Sequence, residues 1–506
     1  MKQLKIVCLL LFITVIIFSC RKQEVSSPLE NTQNEDLTAY QEIASINLGG
    51  LGAAEITAFD PSTKRLFAVN NSAENKIDVL DISNPASVTV IKSISMAPYG
   101  GYVNSVAVSN GKLAAAIEST NKQAPGKIVV FNTSTYAEIK SITVGSLPDM
   151  VTFSPDGNYI ISANEGEPSA DYLSDPEGSV SIIKVSDYSV TTLNFSSFEN
   201  QLASLTAQGF RIFGPGKNFI KDIEPEYVTV SDDSKTAYVT LQENNAIAEI
   251  DIITSTIKKI TPLGFKDYSV TGNAIDASDK DNKIEFSNYA KVFGVYMPDA
   301  IAYFNFNGTP YLFTANEGDS REYAAYNEMK KVSAITLDAT NFPNGSSLKT
   351  DAVLGRLNIT TTLGDIDSDG DFDALYSLGS RSFSVWDATS GKQVFDSKNE
   401  LDRKAKDLGI YDDARSDDKA VEPESVCLGR VGSKNIAIIG LERADAFAIY
   451  DITNPTSPVF IKMYQTGDAP EGILFIPASK SPINQSLIVT SSENDGLIKI
   501  YKTNKL

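Results

Sequence analysis

Carboxylates are the side chains of this sequence best suited to chemistry, and one group of them forms a short run. Its members are Asp365, Asp367, Asp369, Asp371 and Asp373, with Gly370 at the sixth position. Alternating carboxylates in a tight turn supply several oxygens to one hard cation, and glycine permits the turn. An EF-hand would require a bidentate Glu at the twelfth position, where Tyr376 stands. We therefore expect a structural calcium loop that is not an EF-hand. The alternative is a solvated acidic turn without metal.

A second group recurs along the chain, because acids begin the first β-run of most repeats and end the second. The acids at the first position are Glu55, Asp149, Glu226, Asp299, Glu424 and Glu471, and those at the second are Glu118, Glu165, Glu243, Glu317, Glu442 and Glu493. In an antiparallel hairpin these two positions share one edge. We therefore expect these channel-mouth acids to surround one end of a central channel. The Asp365 loop, expected between a first and a second strand, should then lie on the opposite face.

An acidic mouth admits more than one interpretation. It could chelate divalent cations or attract a cationic ligand. In a catalytic version, calcium held by Asp149, Glu165, Asp299 and Glu317 would bind phosphate and activate water. The architectural alternative is that each acid bonds to a neighbouring repeat and pairs with Arg321, Arg381 or Arg443, since a residue needed in every repeat is usually structural.

Composition narrows the function classes. The 506 residues include 44 Lys plus Arg against 64 Asp plus Glu, a formal charge of −20, so we expect no nucleic-acid partner. With no histidine in the chain, an imidazole base, a Ser-His-Asp triad and a His-ligated metal are excluded. Any bound metal must therefore have mainly oxygen ligands, which favours calcium or magnesium.

Short runs rich in Val, Ile, Tyr and Phe recur from residue 42 onward and are separated by turn residues. Such a pattern predicts an all-β fold, a β-propeller of four-stranded blades. We count eight repeats, one of which begins near Leu357 and contains the strands ALYSLGS and FSVWD, with seven as the alternative. The run EIASINL precedes the first repeat, and we expect it to complete the last blade and close the ring, which removes an open edge. Insertions near 195–223, 262–297 and 397–421 are expected to form loops.

The N-terminus predicts export. Lys2 and Lys5 precede an apolar stretch that is too short to cross a bilayer, which is typical of a signal peptide over residues 1–19. Ser19-Cys20 resembles the end of a bacterial lipobox, so Cys20 is the predicted lipid-attachment residue; the alternative is an ordinary secretory signal. Residues 20–41 are predicted to tether a single domain over residues 42–506. Arg21 after the cysteine favours the outer membrane, at its periplasmic face or the cell surface.

The ordered motifs PDMVTFSPDGNYIISANEGEPS, YLFTANEGDSREY, GDIDSDGDFDALYSLGS and DAPEGILFI resemble YVTN-type repeats and are similar to the choice-of-anchor I domain family. This family includes mesenchyme-specific cell-surface glycoproteins. The resemblance extends over about residues 42 to 502 and implies a secreted or anchored propeller.

Together these features predict a membrane-anchored, calcium-binding propeller that acts as a binding or scaffold protein and is not an enzyme. Its expected partners are the lipid bilayer, through N-terminal acylation, divalent cations, and a protein or cationic ligand. We expect a monomer. The alternative is a calcium-dependent phosphoesterase at the acidic mouth.

Overall fold

The computed structural model describes residues 35–506, which form an all-β fold. The predicted signal peptide, Cys20 and residues 21–34 of the predicted tether lie outside the described residues. The first strand begins at Glu35, so residues 35–41, which were predicted to be part of the tether, form the start of this strand. None of the helices within residues 35–506 has the length and apolar character needed to span a bilayer.

Residues 35–506 contain seven four-stranded antiparallel sheets, numbered here 1 to 7 in the order of their first strands. The first strands are Thr57–Asp60, Val103–Ser109, Pro148–Phe153, Pro225–Val230, Ile301–Phe306, Pro423–Val431 and Pro470–Ile476. The second strands are Arg65–Asn70, Lys112–Ile117, Tyr159–Asn164, Thr236–Leu241, Thr309–Asn316, Lys434–Leu441 and Leu487–Ser492. The third strands are Lys76–Asp81, Pro125–Asn132, Ser179–Lys184, Ala246–Asp251, Ser382–Asp387, Ala446–Asp451 and Leu497–Lys505. The fourth strands are Thr89–Ser95, Glu138–Ser146, Ser189–Leu193, Thr256–Pro262, Gln393–Asp396, Val459–Gln465 and Glu35–Asn47.

The sheets pack face to face in a ring. Each first strand contacts the first strand of the next sheet, and that of sheet 7 contacts that of sheet 1. A separate hydrophobic cluster fills each of these seven interfaces. A middle strand is therefore covered on both faces, which explains why the last five residues of Tyr159–Asn164 are all buried. The fourth strands form the outside, and Thr89–Ser95 is exposed at all but one position.

Sheet 7 combines the two ends of the described chain. Strand Glu35–Asn47 pairs antiparallel with Leu497–Lys505, as expected for the N-terminal run. The pairing is fixed at its start by Glu35, whose buried carboxylate accepts hydrogen bonds from the Ser486 amide and hydroxyl, both at 2.7 Å, and from the Thr503 hydroxyl at 2.6 Å.

The prediction of eight repeats divides one sheet in two. In sheet 5 the second strand pairs with Ser382–Asp387, with Asn316 opposite Ser382, although a long insertion separates them in sequence. The run ALYSL inside this insertion, interpreted above as a strand of its own repeat, instead contributes Leu375–Ser377, which pairs in parallel with Val292–Val295. The seven sheets correspond to the alternative of seven repeats.

The long connections all emerge from one end of the ring. They are 194–224, 263–300, 317–381 and 397–422, and each follows a second or a fourth strand. In an antiparallel sheet those strands end where the first strand begins, so the insertions lie on the same face as the channel mouth. The Asp365 loop belongs to the insertion 317–381. Its predicted place on the opposite face, between a first and a second strand, is therefore wrong.

The insertions carry the remaining short elements. Their strands are Phe265–Asp267, Val292–Val295, Glu322–Tyr323, Tyr326–Asn327, Met329–Lys331, Asn358–Thr360 and Leu375–Ser377. Their α-helices are Leu202–Thr206, Gly345–Leu348 and Glu400–Leu408. Three 3-10 helices, Ser196–Gln201, Val332–Ala334 and Asp413–Arg415, also lie in insertions, and a fourth, Glu442–Ala444, follows the second strand of sheet 6.

Candidate functional site

A β-bulge positions the acid at the start of several first strands. The strand register shifts immediately after Pro148, Pro225, Pro423 and Pro470, and the next residue in each case is a channel-mouth acid. A bulge places two residues of one strand against one of its partner and changes the direction of a side chain. The bulges therefore set the orientation of Asp149, Glu226, Glu424 and Glu471.

The residue before the proline also adopts an unusual backbone conformation in four sheets. Leu147, Met297, Glu422 and Ala469 have φ between 45° and 54°. Side chains other than glycine rarely adopt this left-handed conformation, and it costs about 1 kcal/mol or more per residue. Its recurrence before the same Pro-acid pair indicates that surrounding packing maintains this geometry at the mouth.

The five first-strand acids of sheets 3 to 7 line one cavity on the ring axis. The cavity has a volume of about 180 Å³, and its acidic lining is Asp149, Glu226, Asp299, Glu424 and Glu471. Asn104 takes the corresponding place in sheet 2. Glu55 of sheet 1 does not line this cavity. Its carboxylate instead accepts hydrogen bonds from Asn71 Nδ2 at 3.1 and 2.9 Å. The structure therefore brings together most of the acids predicted at the first position.

At the channel mouth, two groups of three carboxylates come close enough to hold a metal ion. In the first carboxylate group, Asp299, Glu317 and Glu424 each offer an oxygen within 4.8 Å of the others. In the second carboxylate group, Glu317, Glu422 and Glu442 do the same, so that Glu317 is shared. Calcium–oxygen distances of about 2.3 to 2.6 Å place oxygens on opposite sides of one ion about 4.6 to 5.2 Å apart. Oxygens that all lie within 4.8 Å of one another can therefore bind the same calcium ion.

The other second-strand acids lie near the mouth in separate environments. The Glu118 carboxylate accepts a hydrogen bond from the Tyr102 amide at 3.3 Å. Glu243 is only 4 % exposed, and its Oε2 has no hydrogen-bond donor among the described residues. Glu165 and Glu493 also lack an ion-pair partner within residues 35–506.

Burial makes many of these acids difficult to ionise. It raises the pKa of Glu55 to about 8, that of Asp149 to about 6 and that of Asp299 to about 7, and neighbouring carboxylates add to each increase. Burial likewise raises the pKa of a further set of mouth acids, namely Glu118, Glu165, Glu226, Glu243, Glu317, Glu424, Glu442 and Glu471. A cation at the mouth would reverse this effect by favouring the ionised forms.

The arginines expected to neutralise the mouth have other partners. Arg321 is ion-paired with Asp222 and Glu224 behind the mouth, with its side chain only 3 % exposed. Arg381 is fully enclosed and donates to the backbone oxygens of three residues, Asp276, Ser416 and Asp418. Among the three, only Arg443 contacts a predicted mouth acid, Glu442, at 2.8 Å. The architectural interpretation therefore fails for Arg321 and Arg381.

Two residues that the sequence analysis missed complete the mouth. Lys419 Nζ lies 2.6 Å from Glu317 Oε1 and 3.1 Å from Glu422 Oε2. Burial opposes the charge of Lys419, but the attraction of Glu317 and Glu422 outweighs it and raises the lysine pKa. A signal for Glu422 was present in the sequence, because Glu-Pro-Glu occurs at 224–226 and again at 422–424. Lys419 comes from an insertion and carries no repeat signal.

The Asp365 loop divides into two possible ligand sets. Asp365, Asp367 and Asp373 offer oxygens within 4.8 Å of one another, and Asp371 and Asp373 form a second set with Asp338, which the sequence analysis missed. Asp369 belongs to neither set, and its Oδ1 accepts a hydrogen bond from the Asp371 amide at 3.1 Å. Four of the five predicted aspartates therefore belong to at least one of the two sets, which share Asp373.

Two characterised proteins match parts of the sequence. Gigasin-3a of Magallana gigas is 27 % identical over 189 residues, which cover 31 % of this chain and 66 % of that protein. The mesenchyme-specific cell surface glycoprotein of Strongylocentrotus purpuratus is 25 % identical over 333 residues, 55 % of this chain and 42 % of that protein. The chain thus spans about two thirds of the first relative and less than half of the second.

Solved structures of similar shape include β-propellers. The β-propeller domain of Myceliophteria thermophila Cps50 (Swd1) matches with a TM-score of 0.47 and 7 % identity, covering 92 % of this chain and all of that one. Kuenenia stuttgartiensis hydrazine synthase matches with a TM-score of 0.49 and 13 % identity, covering 90 % and 97 %. Similarity at this level says nothing about function.

A family model gives the assignment. The model for the choice-of-anchor I domain matches residues 55–455, which include all of sheets 1 to 5 and most of sheet 6. This match covers well over half of the chain. The protein therefore belongs to the choice-of-anchor I domain family.

Proposed function

We propose that this protein is a surface-anchored binding or scaffold propeller that binds a divalent cation, calcium, at its channel mouth. The observation that carries the proposal is the first carboxylate group. Its three acids converge on one point, yet Asp299 and Glu424 have no ion-pair partner in the part of the chain that the structure describes. Oε2 of Glu424 is buried and has no hydrogen-bond donor there. Ionised carboxylates in such a place require a cation.

The donor set favours calcium. All the candidate ligands are oxygens, which hard cations prefer, and calcium accepts six to eight of them in flexible geometry. Magnesium needs a near-octahedral arrangement with shorter bonds and usually keeps several of its waters, so a site built from several protein carboxylates suits it less well. Asp149, Glu226 and Glu471 line the same cavity and add negative potential, which would concentrate cations at the mouth.

We further propose a structural calcium ion in the Asp365 loop. The loop lies in the insertion 317–381 on the mouth face, and calcium there would offset the repulsion among its aspartates. Desolvation, together with repulsion from neighbouring aspartates, raises the pKa of Asp367 and Asp371. A bound ion would fix the insertion beside the mouth and so define the surface offered to a partner.

Export and anchoring complete the proposal. Family membership indicates a cell-surface or extracellular protein, and the relative from Strongylocentrotus purpuratus is named as a cell surface glycoprotein. The lipobox-like Ser19-Cys20 supports lipid attachment at Cys20 and an outer-membrane location. With the ring held at its N-terminal strand, the cation-bearing mouth of a monomer would serve as a platform for a protein or cationic ligand.

The geometry favours binding over catalysis. A phosphoesterase needs cations that receive phosphate. Arg321 and Arg443, the basic residues nearest the mouth acids in sequence, are both ion-paired with carboxylates. Turnover of p-nitrophenyl phosphate with added calcium, lost in Glu317→Gln, would support the phosphoesterase alternative and overturn the non-enzymatic assignment.

Calcium binding itself can be measured by isothermal titration of the chelated mature protein. We expect one site that disappears in the double variant Asp299→Asn/Glu424→Gln and a second that disappears when Asp365 and Asp367 become asparagine. Asp251→Asn is the control, because Asp251 lies on the third strand of sheet 4 at the other end of the ring. Equal calcium binding by the parent and the mouth variant would overturn the proposed mouth site.

A further inference from the structure

The two carboxylate groups at the mouth share Glu317 but differ in the cations that accompany them. Three basic side chains surround the second group: Lys419 Nζ is 2.6 Å from Glu317, while Arg415 and Arg443 pair with Glu422 and Glu442. No basic side chain among residues 35–506 pairs with Asp299 or Glu424 of the first group. Basic side chains of the protein therefore neutralise the second group. The first group contacts a basic side chain only through Glu317, which both groups share.

Glu317 is the link between the groups, and both of its oxygens have partners. Oε1 accepts from Lys419, and Oε2 accepts from Gln242 Nε2 at 2.9 Å. Each carboxylate oxygen can accept more than one bond, so Glu317 remains able to ligate an ion. A divalent ion in the first group would then share this carboxylate with the ammonium of Lys419.

Lys419 is well placed to affect such an ion. Its side chain is 12 % exposed, as is that of Glu317, so water screens their surroundings poorly. An ammonium and a divalent ion on one carboxylate repel each other, and the lysine also withdraws negative charge from Glu317. Lys419 lies in the insertion 397–422 and not in a strand of the ring. The lysine and the acids of the ring therefore belong to separate parts of the chain.

We propose that Lys419 competes with the divalent cation for the carboxylate of Glu317. This competition sets the affinity of the first carboxylate group for the cation. The inference rests on the proposed function, since it concerns the calcium site formed by Asp299, Glu317 and Glu424. Lys419 keeps Glu317 and Glu422 neutralised when calcium is scarce, and calcium binds only at a concentration that overcomes the repulsion. The mouth would thereby respond to the high calcium levels outside cells and ignore lower ones.

The test is a calcium titration in a background from which the Asp365 loop site has been removed by Asp365→Asn/Asp367→Asn. Lys419→Met retains the aliphatic stem and removes the charge, and Lys419→Gln is a second variant that retains a hydrogen-bond donor. Lys434→Met is the matched control, because Lys434 loses the same charge but pairs with Asp451 at the opposite end of sheet 6, at 2.8 Å. Circular dichroism and melting temperature establish that each variant folds.

We expect either Lys419 variant to bind calcium about tenfold more tightly or better, and Lys434→Met to stay within about twofold of the background. Unchanged or weaker binding in both Lys419 variants, while Asp299→Asn/Glu424→Gln abolishes binding, would overturn the role of Lys419 and leave the mouth site intact. Absence of calcium binding in the background and in both Lys419 variants would instead overturn the proposed function and this inference with it.

Discussion

Glu422 and Glu424 flank a single proline, yet their carboxylates have opposite surroundings. Glu422 is fully buried and contacts three basic side chains, Arg415, Lys419 and Arg443. Glu424 faces the axial cavity, and its Oε2 has no donor among the described residues. Pro423 and the bulge after it turn the two acids in different directions. Glu422 therefore pairs with basic residues of the insertion 397–422, whereas Glu424 remains available to a ligand.

Glu424→Gln should have opposite effects with and without calcium. Burial raises the pKa of Glu424, so at about pH 8 the metal-free parent must either take up a proton or bury a charge when it folds. The neutral amide removes this cost, and we expect the free energy of unfolding to increase by about 1 to 2 kcal/mol. Calcium should then stabilise the variant much less than the parent. Denaturation by urea in EDTA and in calcium measures both effects. Exposed Glu74→Gln is the control, expected within about 0.5 kcal/mol of the parent, and a destabilised metal-free Glu424→Gln would contradict the account.

The metal-free protein should lose stability as the pH rises. Burial raises the pKa of Glu55 from 4.5 to about 8 and that of Asp149 from 3.8 to about 6 in the folded state. Over this interval the unfolded chain binds fewer protons than the folded chain, so the free energy of unfolding falls with increasing pH. We expect the melting temperature in EDTA to fall between about pH 5 and pH 8, and calcium to reduce the slope. A melting temperature in EDTA that is constant over that range would count against uncompensated mouth acids.

Glu35 should be essential to the junction of the two chain ends. Glu35→Ala removes the acceptor for two donors of Ser486 and one of Thr503, all buried, and should cost about 2 to 4 kcal/mol. Glu42 lies on the same strand but is 42 % exposed, where it contacts Lys499 at 3.4 Å, and its alanine variant should cost about 0.5 kcal/mol or less. Chemical denaturation compares the two. Similar losses in both variants would show that the Glu35 bonds do not anchor this strand.

Arg321 should be required for folding of the mouth insertions and not for phosphate binding. Arg321→Met leaves the buried carboxylates of Asp222 and Glu224 without their cation, which should cost about 3 to 5 kcal/mol. Arg65→Met breaks a partly exposed pair with Asp81 at the end of sheet 1 away from the mouth and should cost about 1 kcal/mol or less. Thermal melts of both variants test the difference. A stable Arg321→Met protein that has lost binding of inorganic phosphate would contradict this assignment.

Calcium should protect the Asp365 loop. The loop aspartates are largely exposed, so a bound ion should change local order more than global stability. Hydrogen exchange of a peptide covering 363–375 should slow about tenfold or more on adding calcium. Asp365→Asn/Asp367→Asn should abolish the protection while leaving exchange in sheets 1 to 3 unchanged. Exchange that does not respond to calcium would favour the solvated acidic turn.

The sequence predicted the strands and the ring of acids, but it predicted the pairing of strands less well. Periodic apolar runs identify strands, because both faces of each middle strand are covered. They do not say which run pairs with which, and ALYSL was therefore assigned to a repeat when Leu375–Ser377 instead joins Val292–Val295. The same error placed the Asp365 loop on the wrong face.

The repeats also explain what could be predicted of the mouth. Asp149, Glu226, Asp299, Glu424 and Glu471 follow prolines at equivalent positions, so alignment of the repeats was enough to group them. Lys419 and Asp338 lie in insertions without internal symmetry. Their approach to the acids depends on tertiary packing, for which the sequence has no periodic signal.

The most direct measurement is a crystal structure of the mature protein soaked in calcium chloride. The account predicts an ion at the channel mouth coordinated by Asp299, Glu317 and Glu424, with calcium–oxygen distances of about 2.3 to 2.6 Å. It also predicts that the distance between Lys419 Nζ and Glu317 Oε1 lengthens when the ion binds, because the two cations on one carboxylate repel each other. A well-ordered mouth in saturating calcium that contains no ion, with the 2.6 Å contact between Lys419 and Glu317 unchanged, would contradict the central claim.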